Sequence, residues 1–450
     1  MSAAVAIPKV SDASVQELPL RSPASSVIPY CVAGLLVFAP LAFGAVEPWA
    51  IFAVQLTSLV LMCAWAIPQI RSGQIAISSH PVLAPMCAFG VLVIVQLLGT
   101  SAYRHATKSG LLIYAAYGAV CFLLSQTLHR TTQIRRLATA FSVFGSCFAV
   151  FAVLQSLSSA GKLYWIRTPR FGGWIYGPYV NHNHYAGLME MLLPVPLVFA
   201  FSRYAHGRKR WLAAAAAAFM GASIFLSGSR GGMAAFAIQS AFFLWLLFRE
   251  RTRNGAALLL AGFLLLALAS IAWIGGSEVS ARIATLGASR HADPSTDMRL
   301  KIDADSLRMF SQRPILGWGL GTFPTVYPQF RSFYTNSFVN AAHNDYLQLL
   351  TETGIVGFAI AIWFLIAAFR PAIRKTRNWP SDVNGAVAVA ALLGICGILV
   401  HSFVDFNLQI PANAMLFYVL CTVAAMEPRF RNHRRDRHHH PAREETTPQA

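Results

Sequence analysis

Apolar runs long enough to cross a bilayer alternate with polar connections along most of the chain. They fall at approximately 27–46, 48–70, 81–99, 110–128, 137–158, 185–202, 211–228, 233–248, 255–275, 354–369, 384–403 and 411–426. The pattern predicts an all-α polytopic integral membrane protein of about twelve transmembrane helices. Basic residues gather in every second connection: Lys9/Arg21, Arg71, Arg130/Arg135/Arg136, Arg203/Arg208/Lys209/Arg210, Arg249/Arg251/Arg253, Arg370/Arg374/Lys375/Arg377 and the tail from Arg429 to Arg443. Because basic residues prefer the inner face, this alternation puts both termini in the cytoplasm and connections 100–109, 159–184, 229–232, 276–353 and 404–410 outside. The expected organisation is a flexible cytoplasmic tail over 1–26, transmembrane helices over 27–275, an outer-face loop with short helices over 276–353, further transmembrane helices over 354–426 and a basic cytoplasmic tail over 427–450.

The long loop carries Arg282, Arg290, Arg299, Lys301, Arg308, Arg313 and Arg331 on the face that basic residues usually avoid. An anionic ligand is the simplest reason for them. Asp297 to Phe310 has helical spacing, and Gly317-Trp318-Gly319-Leu320-Gly321 breaks the chain before an aromatic run through Tyr327, Phe330, Phe333 and Tyr334. The loop ends in a stretch from Ala342 to Gly354 that reads as a short helix capped by Asn340 and stopped by Gly354, lying in the membrane interface. Its faces differ: Tyr346, Leu347 and Leu350 on one side, Asn344, Asp345, Gln348 and Glu352 on the other. His343 is expected in the first turn, where the positive end of the helix dipole disfavours the imidazolium. A neutral imidazole there can accept a proton.

Composition supports the membrane reading, with 56% hydrophobic and 12% charged residues among 450. The formal net charge of +18 sits in short clusters between apolar runs, so nucleic acid is not the expected partner. All seven cysteines lie within apolar runs and read as small core hydrophobes. The N-terminus lacks the basic start, short apolar run and small-residue cleavage site of a secretory signal.

Several motifs carry candidate chemistry. Arg230, in Ser227-Gly228-Ser229-Arg230-Gly231-Gly232, sits at a tight outward turn where its forked donors suit a phosphate oxygen, although a snorkelling arginine beside a glycine-rich turn explains it too. Arg299 reads either as a structural ion-pair partner or as a diphosphate ligand. His182 and His184, in Asn181-His182-Asn183-His184, fit a polar helix cap better than a metal site, since no third ligand is suitably spaced. Glu190 is an intramembrane carboxylate and therefore a functional candidate or a buried hydrogen-bond partner. Asp303-Ala304-Asp305 is too short a match to a metal-holding DxD to carry weight. Asp405, in the polar turn His401 to Pro411, could orient an imidazole or an arginine, or simply cap a helix end.

Together these segments resemble the O-antigen ligase and polysaccharide polymerase superfamily of bacterial membrane glycosyltransferases over roughly the second half to two thirds of the chain. The resemblance rests on the joint order of Ser227–Gly232, Arg313–Gly321 and Ala342–Tyr346 with Glu352 and Gly354, and it extends to Asn181–Gly187 and Asp405–Pro411. It implies transfer of a glycan from a polyprenyl, usually undecaprenyl, diphosphate carrier to an acceptor hydroxyl on the periplasmic face of the inner membrane, without metal or cofactor. The acceptor would be lipid-anchored, carrier-linked or a protein. His343 would be the general base, Arg230 and Arg299 the diphosphate ligands, and Asp345 or Asp405 the group that orients the imidazole. Asn344, His184 and Glu190 would support them. Within the family a repeat-unit polymerase is the alternative to a ligase. A polytopic transporter or flippase is the more distant one, disfavoured because polar groups collect in connections rather than deep in several spans.

Overall fold

The computed structural model describes residues 23–169, 175–249, 294–335 and 338–426. Its regular elements are helices: α1 (Pro23–Leu41), α2 (Pro48–Ser72), α3 (Leu83–Val95), α4 (Arg104–Thr127), α5 (Thr131–Ser158), α6 (His182–Leu192), α7 (Pro194–Phe201), α8 (Gly207–Leu226), α9 (Arg230–Arg249), α10 (Pro294–Gln312), α11 (Phe323–Val326), α12 (Asp345–Lys375), α13 (Val383–His401) and α14 (Pro411–Ala425). Nine helical stretches among the described residues are long and apolar enough to cross a membrane, with α6 and α7 counted as one, and α1 and α14 are shorter apolar helices. Eleven of the expected spans therefore coincide with apolar helices. The remaining span at 255–275, the loop residues Arg282 and Arg290 and the basic tail lie outside the described residues, as does most of the N-terminal tail.

Burial sorts the helices into pillars and lipid-facing staves. On α13, Ala388, Val389, Leu393, Ile395 and Ile398 are fully buried, and this helix packs against α6, α7, α9, α12 and α14. The stretch α6–α7 is almost wholly enclosed. By contrast α2 shows Phe52, Leu59 and Ile70 more than half exposed (62%, 61% and 65%). Exposed apolar side chains on a helix with its own backbone bonds satisfied are what a hydrocarbon solvent favours. The pillars end together, so the C-terminus of α13 and the N-termini of α6, α9, α12 and α14 meet at one end of the bundle.

The stretch before α12 departs from expectation. The helix starts at Asp345, not earlier, because Asn344 rather than Asn340 is the cap: its Oδ1 accepts from Tyr346 N and Leu347 N at 3.1 and 3.2 Å. His343 thus precedes the cap instead of lying in the first turn. The polar face, with Asp345, Gln348 and Glu352, is buried against the protein, while Tyr346, Leu347 and Leu350 are only half-buried. An interfacial peptide would show the reverse. Here the loop offers hydrogen-bond partners that a headgroup layer would otherwise have to provide.

Gly354 does interrupt the helix, at φ 64° and ψ −170°, after which α12 continues. The loop segment 313–321 fills the break. Trp318 N and Gly319 N donate to the carbonyls of Thr351 and Glu352 at 3.0 and 2.9 Å, and Ile355 N donates to Pro314 O at 2.8 Å. A Cβ at Gly354 would lie 2.2 Å from Ile315 O, in a backbone region essentially restricted to glycine. Gly354→Ala is therefore expected to lower stability by about 3 kcal/mol or more, read as a fall in the melting temperature of detergent-solubilised protein.

Candidate functional site

The site is built on the turn after α13. Leaving the helix at His401, the chain is pinned twice to α12: Asp345 N donates to Ser402 O at 2.9 Å, and the Asp345 carboxylate accepts from Ser402 Oγ, Leu408 N and Gln409 Nε2 at 2.8, 3.0 and 3.3 Å. Asp345 is thus committed to shaping the turn. At its tip, Asp405 is fully buried and accepts from Phe406 N at 2.8 Å and from Asn183 Nδ2. Two basic side chains face it: His184 Nε2 at 3.6 Å and Arg299 Nη2 at 3.7 Å. Burial alone would raise the Asp405 pKa, but the basic groups around it, His184, His401 and Arg299, outweigh it and hold the carboxyl well below the usual range. Asp405 is the fixed anion that joins α6, α10 and the 402–409 turn.

Arg299 comes from α10, also spends a donor on Val404 O at 2.9 Å, and keeps 35% of its side chain exposed. Its carboxylate partner is Asp405, whereas nearby Asp297 pairs with Lys301 at 2.8 Å. Asp303, one turn further along α10, is raised to about 6 by burial, with Arg299 opposing.

His343 stands across Phe406 from His184. Both imidazoles meet the Phe406 ring edge-on, at 4.8 Å for His343 and 4.7 Å for His184. The chain presents His343 at φ 55°, in the left-handed region, between Ala342, whose N–H is held by Gln348 Oε1 at 3.0 Å, and the capping Asn344. Nδ1 is buried and has no hydrogen-bond partner among the described residues. Neither Asp345 nor Asp405 bonds this ring, so packing on Phe406 sets its orientation. Burial pushes the His343 pKa down to about 4; Asp405 pulls it upward, and Arg299 and His184 oppose protonation. The imidazole is neutral at physiological pH and within electrostatic reach of Arg299.

Arg230 is the first residue of α9, and the next residue ties that helix to the turn. A Cβ on Gly231 would lie 2.7 Å from His401 Nε2 and 2.8 Å from Val404 Cγ2. The start of α9 therefore abuts the same turn whose Val404 carbonyl engages Arg299. Glu190 lies deeper, with Oε1 2.9 Å from His401 Nδ1. It supports the turn from the membrane side and contacts neither His343 nor Asp405. His182 and His184 form no metal-ligand group with the other described residues.

A buried strap keeps the loop on α12. Glu352 Oε2 accepts from Gly321 N at 2.8 Å and Oε1 from Phe323 N at 3.1 Å, while Gln96 Nε2 reaches Leu316 O and Glu352 O at 2.6 and 2.9 Å. Glu352→Gln turns one acceptor into a donor facing these N–H groups, with an expected loss of about 1–3 kcal/mol in unfolding free energy by denaturant titration. Gln96 and Phe406 were not singled out from sequence. A lone glutamine inside the 81–99 span is the signal that could have marked the first. An apolar cavity lined by Leu36, Leu124, Phe141, Leu192, Val387 and Val423 lies toward the opposite helix ends and carries no polar group.

These features define a polytopic helical membrane protein whose arginines and a neutral histidine gather at one end. Residues 215–362 match the family model described as O-antigen ligase, and that stretch is similar to the O-antigen ligase superfamily. The matched residues include Arg230, Arg299 and His343 but neither His184 nor Asp405. No curated protein matches the chain.

Proposed function

We propose that this protein is an O-antigen ligase-type glycosyltransferase, moving a glycan from a polyprenyl diphosphate carrier to an acceptor hydroxyl at the periplasmic face of the bacterial inner membrane. The observation that carries the reading is the convergence of His343, Arg299 and the Arg230-bearing start of α9 on the 401–406 turn. The acceptor oxygen attacks the anomeric carbon as the bond to the diphosphate breaks, inverting that carbon. Its proton passes to the neutral His343, and the electron pair leaves with the polyprenyl diphosphate. Arg230 and Arg299 offset the charge that grows on the leaving oxygen, the part a divalent ion plays elsewhere. Asp405 fixes Arg299 and lies near enough to favour the imidazolium as it forms, while Asp345, Asn344, His184 and Glu190 hold the surrounding backbone and the turn.

The test is reconstitution in liposomes with a defined polyprenyl diphosphate glycan. A lipid-anchored sugar and a second carrier-linked repeat are offered separately as acceptors. The reading expects released polyprenyl diphosphate together with a glycosylated product on the lipid-anchored sugar, and product only on the carrier-linked repeat identifies a polymerase. Absence of both products, with donor bound, would count against transfer chemistry.

A further inference from the structure

The buried pair Glu190–His401 is not used by the transfer step, and its unmatched atoms point to a role. His401 Nδ1 and Glu190 Oε1 are 2.9 Å apart with both side chains fully buried, whereas His401 Nε2 and Glu190 Oε2 have no hydrogen-bond partner among the described residues. An uncompensated charge is strongly disfavoured inside a bundle, so net-neutral states dominate. In two of them, imidazolium with carboxylate and neutral imidazole with a carboxylic acid donating to Nδ1, the other ring nitrogen carries a proton. The third puts the proton on Glu190 Oε2, where the described residues offer it no acceptor.

The Nε2 proton faces the N-terminus of α9. Ser229 takes up the N–H groups of Gly232 and Met233, through Oγ at 3.1 Å and its carbonyl at 2.9 Å, which leaves the N–H of Gly231 at the open end of the helix beside Arg230. Gly231 is also the residue against which Nε2 packs, since a Cβ there would come within 2.7 Å of it. A ring N–H and a helix N-terminus thus meet in one place, with Arg230 the first residue of that helix, an arrangement that favours an anion. The same Cβ position would lie 2.8 Å from Val404 Cγ2, and Val404, itself 44% exposed, carries the carbonyl that Arg299 now holds. A phosphate that draws Arg299 away from that carbonyl removes one of the bonds that hold the turn.

We propose that His401, held by Glu190, is a further diphosphate-binding side chain, presenting Nε2–H together with the α9 N-terminus to a phosphate oxygen of the donor. This rests on the transfer reading. Glu190 acts through His401 and is a positioning residue. The charged groups that face the ring are Glu190 from α6, Asp405 from the turn and Arg299 from α10, with Arg230 adjoining Gly231 on α9.

Binding without an acceptor separates the two ideas. The full chain in nanodiscs is titrated with a short-chain polyprenyl diphosphate, and with the monophosphate as control. His401→Asn keeps an N–H for Glu190 but cannot reach the Nε2 position, while His401→Gln places an amide near Nε2. The expected order is diphosphate affinity weakened about ten-fold or more for Asn and largely kept for Gln, as for loss of a charge-assisted hydrogen bond. A purely structural pair gives the opposite order and overturns the proposal, as does equal affinity in all three proteins. Glu190→Gln, which still accepts from Nδ1–H, is expected to bind the diphosphate more weakly, and increasingly so as pH rises. Should both His401 variants fail to give a folded peak on size exclusion, Glu190→Gln and Gly231→Ala decide: weakened diphosphate binding supports the proposal, and unchanged binding overturns it. A wild type that does not prefer diphosphate over monophosphate overturns the transfer reading itself.

Discussion

Replacing His343 by alanine is expected to reduce turnover by about 10²–10⁴-fold while donor binding and folding persist, because the buried Nδ1 of the ring has no hydrogen-bond partner among the described residues. The pH profile gives a second readout. With its pKa pushed down to about 4 by burial, the imidazole of the free protein is already the proton-accepting form over the whole physiological range. Turnover should therefore be flat between about pH 6 and 8 and fall only on the acid side, as protonation removes the base. Donor binding changes the balance in a defined direction. Arg299 is among the groups that oppose His343 protonation, and a bound diphosphate both neutralises it and adds negative charge nearby. The acid limb of kcat, which reports the complex, is expected at higher pH than the acid limb of kcat/KM, which reports the free protein. Coincident limbs would mean that the diphosphate does not lie near His343.

Arg299→Ala is expected to lower turnover by about 10²–10³-fold, the usual cost of losing a charge-stabilising donor in a water-poor site. Two effects add. The leaving diphosphate loses a forked donor, and Asp405 loses the cation 3.7 Å away that helps to hold it as a buried carboxylate. Arg299→Lys restores the charge but not the geometry that reaches the Val404 carbonyl and Asp405 together, so it should recover only part of the loss. Both variants are checked by initial rates on the reconstituted reaction, with melting temperature as the control for folding. Full activity of Arg299→Ala would leave Arg299 as a structural ion-pair partner of Asp405.

The bundle was largely legible because hydrocarbon-length apolar runs and the placing of basic residues are both written in local sequence. Details at the helix starts were less so. Asn340 and Asn344 are equally good caps by residue type, and it is the bonds that Asn344 Oδ1 accepts from Tyr346 N and Leu347 N that show where the helix begins. The orientation of the first turns of α12 was also hidden, since an amphipathic pattern says that two faces differ but not which one meets the protein. Asp405 was recognised as polar and well placed, yet its partners Asn183 and His184 lie more than two hundred positions away, a pairing that no local spacing encodes. His401 and Glu190 are likewise joined only by the packing of α6 on α13. The glycines at 317 and 354 show the opposite case. Their place in a motif was visible, and the structure adds the reason: loop and helix backbones pass too closely there for a Cβ.

The most direct test is an experimental structure of the protein with an uncleavable polyprenyl diphosphate glycan bound. The account expects the two phosphates between Arg230 and Arg299 and the anomeric carbon turned toward His343. Phosphates bound at the opposite end of the bundle, or an anomeric carbon with its back to that imidazole, would contradict it.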